Sequence, residues 1–159
     1  AWLGHQGPVY ILDGGIQAWQ AAKLPVVTAT SSPEATTYTA TLQPQLQISA
    51  QEIDARKDQI NLVDTRNYWI EWLPGHLPSA IHLDWKELYY GEDNRAIDSE
   101  KFKSLLEEKG VDLSKPVVYY CTGGIRSGYA WMVHELAGLP SAINFEGGTE
   151  EWNAFKKQP

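Results

Sequence analysis

Sulfur is scarce in this chain. Among 159 residues there is one cysteine, Cys121, and one methionine. A single cysteine excludes an internal disulfide and a thiolate metal cluster, and it favours a reducing, cytoplasmic compartment. Positive charge is scarce too. Thirteen Lys and Arg against twenty Asp and Glu leave a formal net charge of −7. That balance argues against nucleic acid or an anionic membrane as partner, since both select basic surfaces. Apolar runs are short, and none approaches the ~18 residues of a membrane-spanning helix. Aromatic residues are plentiful instead: seven Trp and eight Tyr place aromatic surface in the core or at a binding rim.

Read in order, short apolar runs alternate with segments of helical period. Residues 9–12 predict a buried strand, followed by Asp13-Gly14-Gly15 and a helix carrying Trp19. Nearly the same signal closes the chain, where a strand at 142–145 leads into Glu146-Gly147-Gly148 and a helix carrying Trp152 and Phe155. Identities at Gly14/Gly147, Gly15/Gly148, Trp19/Trp152 and Ala21/Ala154 give an offset of 133 residues, about one domain length. Such a period points to a tandem protein, of which residues 1–24 are the end of a first copy. Residues 25–37, with two prolines and no helical period, read as a linker. The second copy then covers 38–159, opening on a β-like run at 38–42.

Within that copy, Ser49-Ala50-Gln51-Glu52 fits a capping box, with Ile48 and Ile53 as its hydrophobic staple, for a helix at 50–57. Strands are expected at 60–64, 80–83 and 117–120. Asp98 or Ser99 caps a helix bearing Phe102, Leu105 and Leu106 that stops at Gly110. A last long helix follows Cys121, with Ala130, Val133, His134 and Ala137 on one stripe before Gly138. Strand–helix alternation implies an α/β fold, a three-layer α/β/α domain around a parallel sheet of about five strands.

The chemistry points to the turn after Tyr120. Cys121-Thr122-Gly123-Gly124-Ile125-Arg126-Ser127 lies at the carboxyl end of a strand and opens a helix, where parallel sheets bind ligands. Gly123 and Gly124 can take positive φ, letting loop amides turn inward as an anion-binding nest, and the helix dipole adds to the same field. These features favour a thiolate, the nucleophilic form of cysteine, and equally a persulfide anion. Arg126 supplies a fixed cation for an oxyanion or a structural carboxylate.

Four stretches, in order, resemble the rhodanese-type sulfurtransferases. These are Leu62-Val63-Asp64-Thr65-Arg66, Gly75-His76-Leu77-Pro78-Ser79-Ala80, the loop from Cys121 to Arg126, and Glu146-Gly147-Gly148 with Trp152. The resemblance implies that Cys121 takes a sulfane sulfur from a small anionic donor such as thiosulfate and passes it to a thiol or cyanide. No cofactor or metal is implied. Thr122, Gly123, Gly124, Ile125, Arg126 and Ser127 then form the substrate-binding loop, with Asp64 and Arg66 in support. A 3-mercaptopyruvate donor, or a non-catalytic module on the same fold, are the alternatives. Thr122 and Gly123 stand where the best thiosulfate users carry basic residues, and the loop is also not the Cys-Gly-Ser-Gly-Val-Thr form of mercaptopyruvate enzymes. Related phosphatases use a longer loop; here only four residues separate Cys121 from Arg126.

Other candidates carry weaker signals. Asp64 is placed to orient a loop amide or Arg126, or simply to cap a turn. Arg66 would meet an anionic donor or form a surface ion pair. His76 is expected to pin its own turn, and neither it nor His82 has partners at metal-ligand spacing. Tyr68, Trp69 and Trp72 could roof the pocket, Glu146 is read as structural, and Glu92-Asp93 as a solvated loop. Residues 1–24 would present an unpaired strand edge, so they are expected to dock on the second copy or to self-associate.

Overall fold

A computed structural model describes residues 1–157 except 93 and 141. Asp93, assigned with Glu92 to a solvated loop, lies outside the described residues. The centre is a four-stranded parallel sheet of β1 (Asn61–Asp64), β2 (Ile81–His82), β5 (Val117–Tyr120) and β6 (Ala142–Phe145), in the order β2-β1-β5-β6. A separate antiparallel pair, β3 (Tyr89–Tyr90) and β4 (Arg95–Ala96), was not foreseen. The main sheet therefore has four strands rather than about five.

Alternate residues of the buried strands feed two cores. Val63, Val117 and Tyr119 face one side and pack with Phe102 and Leu106 of α3 (Ser99–Glu108) and Ala130 and Val133 of α4 (Ile125–Leu136). Leu62, Val118 and Tyr120 face the other, against Ala50 and Ile53 of α2 (Ala50–Arg56) and Trp152 of α5 (Gly148–Lys156). Central strands covered on both faces read as continuous apolar runs, as Val117–Tyr120 does. The three-layer α/β/α architecture holds.

The local signals mostly resolve as expected. The Ser49 hydroxyl accepts from Glu52 N–H while the Glu52 carboxylate reaches back to Ser49 N–H at 2.8 Å, and the staple residues Ile48 and Ile53 are both buried. Asp98, not Ser99, caps α3 by accepting from the amides of Glu100 and Lys101.

Two predicted strands do not form. Residues 9–12 are exposed, with Val9 74% and Tyr10 87% accessible, because no neighbouring strand offers them a hydrogen-bonding edge. The run at 38–42 makes only isolated links, Thr41 N–H to Leu3 O and Gln43 N–H to Trp2 O, too few for a ladder. Through these bonds, Tyr38 OH to Leu3 O and an exposed Asp13–Arg95 pair, the first residues lie against the domain. The short α1 (Gly15–Ala21) buries none of its residues. Like α5, it begins on a glycine with positive φ, 57° at Gly15 and 53° at Gly148.

Candidate active site

Strand β5 delivers Cys121 to the carboxyl edge of the sheet, where it is 2% exposed and the next three residues turn into α4. Two glycines make that turn possible. Gly124 has φ 84°, and a Cβ there would sit 2.8 Å from the Glu146 backbone. Gly148, also in the left-handed region, lies so close to the carbonyls of Cys121 and Thr122 that any side chain would collide with them. The amides that follow it take those carbonyls, Thr149 N–H to Cys121 O at 2.9 Å and Glu150 N–H to Thr122 O at 3.3 Å. Gly123, expected to share the positive φ, does not use it; one left-handed residue suffices for the turn.

The loop encloses the sulfur. Ser127 Oγ donates to Cys121 Sγ at 3.6 Å, and the amides of Ser127, Gly123 and Arg126 face the same atom. Burial alone would push the thiol up, but these donors outweigh it and hold the Cys121 pKa below its ordinary value. Asn144 of β6 braces the back of the loop, its Nδ2 donating to Gly124 O at 3.2 Å.

Arg126 proves to be a brace. Its Nη1 and Nη2 donate to Glu71 Oε2 and Oε1 at 2.6 and 2.7 Å, and Nη2 also reaches Thr122 Oγ1 at 3.1 Å. Thr122 Oγ1 donates in turn to Glu71 Oε1. The Arg126 guanidinium holds the Glu71 carboxyl down at about 2, and Glu71 raises the pKa of Arg126. Sequence reasoning missed Glu71, whose segment was read for its aromatic rings. The available signal was that a loop arginine needs a carboxylate, and Glu71 is the only one between Arg66 and Asp84. It sits on a single π-helical turn, Tyr68–Trp72, capped by the Asn67 side chain; such turns recur at functional sites.

Asp64 serves neither Arg126 nor a loop amide. Its carboxylate is filled by Arg66, which donates from its backbone N–H at 3.0 Å, from Nε at 2.9 Å and from Nη2. Arg66 is thus no surface ion-pair member: it is 6% exposed, and Nη2 also bonds Gly75 O at 2.8 Å. Burial would lower the Arg66 pKa, but Asp64 more than compensates and keeps it charged. Only Thr65 separates the pair, so the two side chains meet locally and neither reaches the loop. Tyr120 completes the group; its hydroxyl accepts from Leu77 N–H at 3.0 Å beside Asp64.

His76 pins its turn, with Nδ1 donating to Trp72 O at 3.1 Å and its ring stacked on Trp72 at 3.7 Å. His82 Nε2 donates to Arg66 O at 2.8 Å. Trp72 is spent on these two rings, while Trp69 and Ile70 stand exposed beside Glu71, as Ile125 does beside Arg126.

Residues 49–155 match the Rhodanese-like domain family. The chain belongs to it. Among curated proteins, it is 31% identical over 175 residues to the "Putative thiosulfate sulfurtransferase" of Mycobacterium leprae, covering 99% of this chain and 62% of that protein. To the 3-mercaptopyruvate sulfurtransferase of Rattus norvegicus it is 30% identical over 166 residues, covering 94% of this chain and 54% of the relative. The rhodanese-like chain thus spans little more than half the length of these relatives. Solved structures share its fold: SseA from Escherichia coli superposes with a TM-score of 0.76 at 18% identity, over 85% of this chain and 53% of that one. The anaerobic ergothioneine biosynthesis enzyme from Chlorobium limicola gives 0.77 at 23%, over 93% and 40%. No helix among the described residues is long and apolar enough to cross a membrane.

Proposed function

We propose that this domain is a sulfurtransferase in which Cys121 carries the transferred sulfur. One observation carries the reading: a nearly buried thiol is surrounded by the amides of Gly123, Arg126 and Ser127 and held below its ordinary pKa. The Cys121 thiolate attacks the outer sulfur of a donor such as thiosulfate. The donor S–S bond breaks, sulfite leaves with the electron pair, and the same loop amides hold the terminal sulfur of the Cys121 persulfide. A thiolate or cyanide acceptor then attacks that sulfur and releases the Cys121 thiolate, a two-step covalent exchange. Glu71 and Arg126 keep the loop in shape. With its guanidinium committed to Glu71, Arg126 contributes field rather than a bidentate grip on the donor.

A 3-mercaptopyruvate donor is the second reading, favoured by the rat relative. Incubation with each donor followed by intact-mass measurement tests both. The wild-type chain is expected to gain one sulfur atom and Cys121→Ser none; an adduct on the serine variant, or none on the wild type, overturns the proposal. Iodoacetamide alkylation against pH is expected to give a midpoint below the ~8.5 of a free thiol. A midpoint at or above it would favour a non-catalytic module.

The tandem reading is part of the proposal: residues 1–24 are the tail of a first rhodanese-like domain, 25–37 a linker and 38–159 the catalytic domain. Matches to both relatives run through 94–99% of the chain, well past the 49–155 family region, in support of that division.

A further inference from the structure

The Asp64–Arg66 pair leaves one end of Arg66 unspent. Nε and Nη2 are bonded to Asp64 and Gly75, whereas Nη1 has no acceptor among the described residues and keeps access to solvent in a side chain only 8% exposed. Arg66 also lines a cavity of about 210 Å³, together with Gly75, His76, Leu77, Thr149, Trp152 and Asn153. The volume equals roughly seven water molecules, well short of the ~300 Å³ at which cofactor and drug-sized pockets begin.

The lining is chemically one-sided. The Thr149 hydroxyl and the Asn153 amide, like Nη1, have no partner among the described residues. Among the described residues no carboxylate borders the cavity: Asp64 is bonded to Arg66, and Glu151 is turned to the Ala50 N–H at 2.9 Å. Trp152 gives it one apolar wall. A buried guanidinium with a free N–H end, beside a hydroxyl and an amide that can each donate, suits an oxyanion, and its fixed positive charge disfavours a cation.

We infer that this cavity is a binding site for a small oxyanion of the sulfonate or carboxylate class. It is separate from the cysteine loop, since Cys121 does not line it. It is nevertheless coupled to that loop, because Thr149 both lines the cavity and donates its N–H to Cys121 O at 2.9 Å. An anion that orders Thr149 also orders the strand end that holds the thiol. The site thus goes beyond the proposed transfer chemistry and does not depend on it.

The test is a titration of 15N-labelled protein with sodium sulfate at constant ionic strength, observing the Arg66 Nε–H, the Thr149 amide and the loop amides. Saturable shifts are expected at Arg66 and Thr149. Asn153→Asp and Thr149→Val leave the Asp64–Arg66 pair intact, and each should weaken the apparent affinity about tenfold, the worth of one charge-assisted hydrogen bond. Linear, unsaturated shifts overturn the inference, as does unchanged affinity in Asn153→Asp. A response confined to Gly123 and Ser127 assigns sulfate to the cysteine loop and overturns it as well. Sulfur loading of Cys121, measured separately, keeps the two proposals apart. Loading without sulfate binding at Arg66 removes the site alone, and binding without loading removes the transferase reading alone.

Discussion

Glu71 and Arg126 come from segments 55 residues apart, and each is useful only because the other is present. Glu71→Gln preserves the shape but, whichever way the amide turns, sets its N–H against a guanidinium N–H, so Arg126 loses one of its two carboxylate acceptors and the charge that held it. The pair is about a quarter exposed, so its loss should cost no more than about 1 kcal/mol of stability. The loop geometry is more sensitive. A displacement of about 1 Å at a reacting centre costs up to ~100-fold in rate, and sulfur loading of the Gln variant should fall by at least tenfold with the thermal midpoint little changed. Rapid-quench mass spectrometry beside a thermal melt separates these effects; a large stability loss with normal loading would contradict the assignment. Gly124→Ala tests the turn itself. A left-handed alanine costs about 1–2 kcal/mol, and here its Cβ would also press on the Glu146 backbone at 2.8 Å. Both loading and melting temperature should drop.

Among the secondary elements, β5 and α4 are joined by a buried polar bond as well as by packing. His134 is fully buried and accepts from Tyr119 OH at Nδ1, 2.9 Å away, while Nε2 donates to Pro140 O at 3.3 Å. Both ring nitrogens are used in the neutral form. Burial, only partly offset by Pro140, pulls the His134 pKa below its ordinary value of 6.5. The unfolded chain therefore binds a proton more readily. Stability contributed by neutral His134 is complete above pH 6.5 and is lost as pH falls through the depressed folded value. Urea midpoints should decline below that pH, and His134→Gln should flatten the decline while lowering stability throughout. This histidine shows what the sequence could and could not convey. Its place on the stripe with Ala130 and Val133 was legible from helical spacing, and so were both faces of the sheet, since each follows from a pattern within one segment. Tyr119 as its partner was not legible, nor was Glu71 as the partner of Arg126, because such bonds depend on how separate elements meet. The strand misread at 9–12 has the same origin: Val9–Leu12 has β composition, but a strand exists only beside another strand.

At the scale of the molecule, every residue of both apolar cores lies at or beyond Ile48. Ahead of it, α1 buries nothing, and residues 25–37 are exposed throughout. Among the described residues, residues 1–24 are tied to the rest by the Asp13–Arg95 pair at 3.5 Å, exposed on both sides, and by a few bonds from Trp2 and Leu3 to residues 38–43. A cavity of about 470 Å³ is lined by Val9–Gly15 on one side and by Tyr89, Tyr129 and Met132 on the other. Exposed ion pairs contribute about 0–1 kcal/mol, so removing residues 1–37 should lower stability by about 1 kcal/mol, or roughly 3 °C in Tm for a domain of this size. Differential scanning calorimetry of 38–159 against the full chain measures this directly. Amide exchange should agree, with α1 exchanging quickly and β1 and β5 at the global rate. A shift several times larger would mean that the apolar row Val9, Tyr10, Ile11 and Leu12 is held down by more than these contacts. The same experiment on a concentration series would then separate docking within one chain from association between chains, since only the second makes Tm rise with protein concentration.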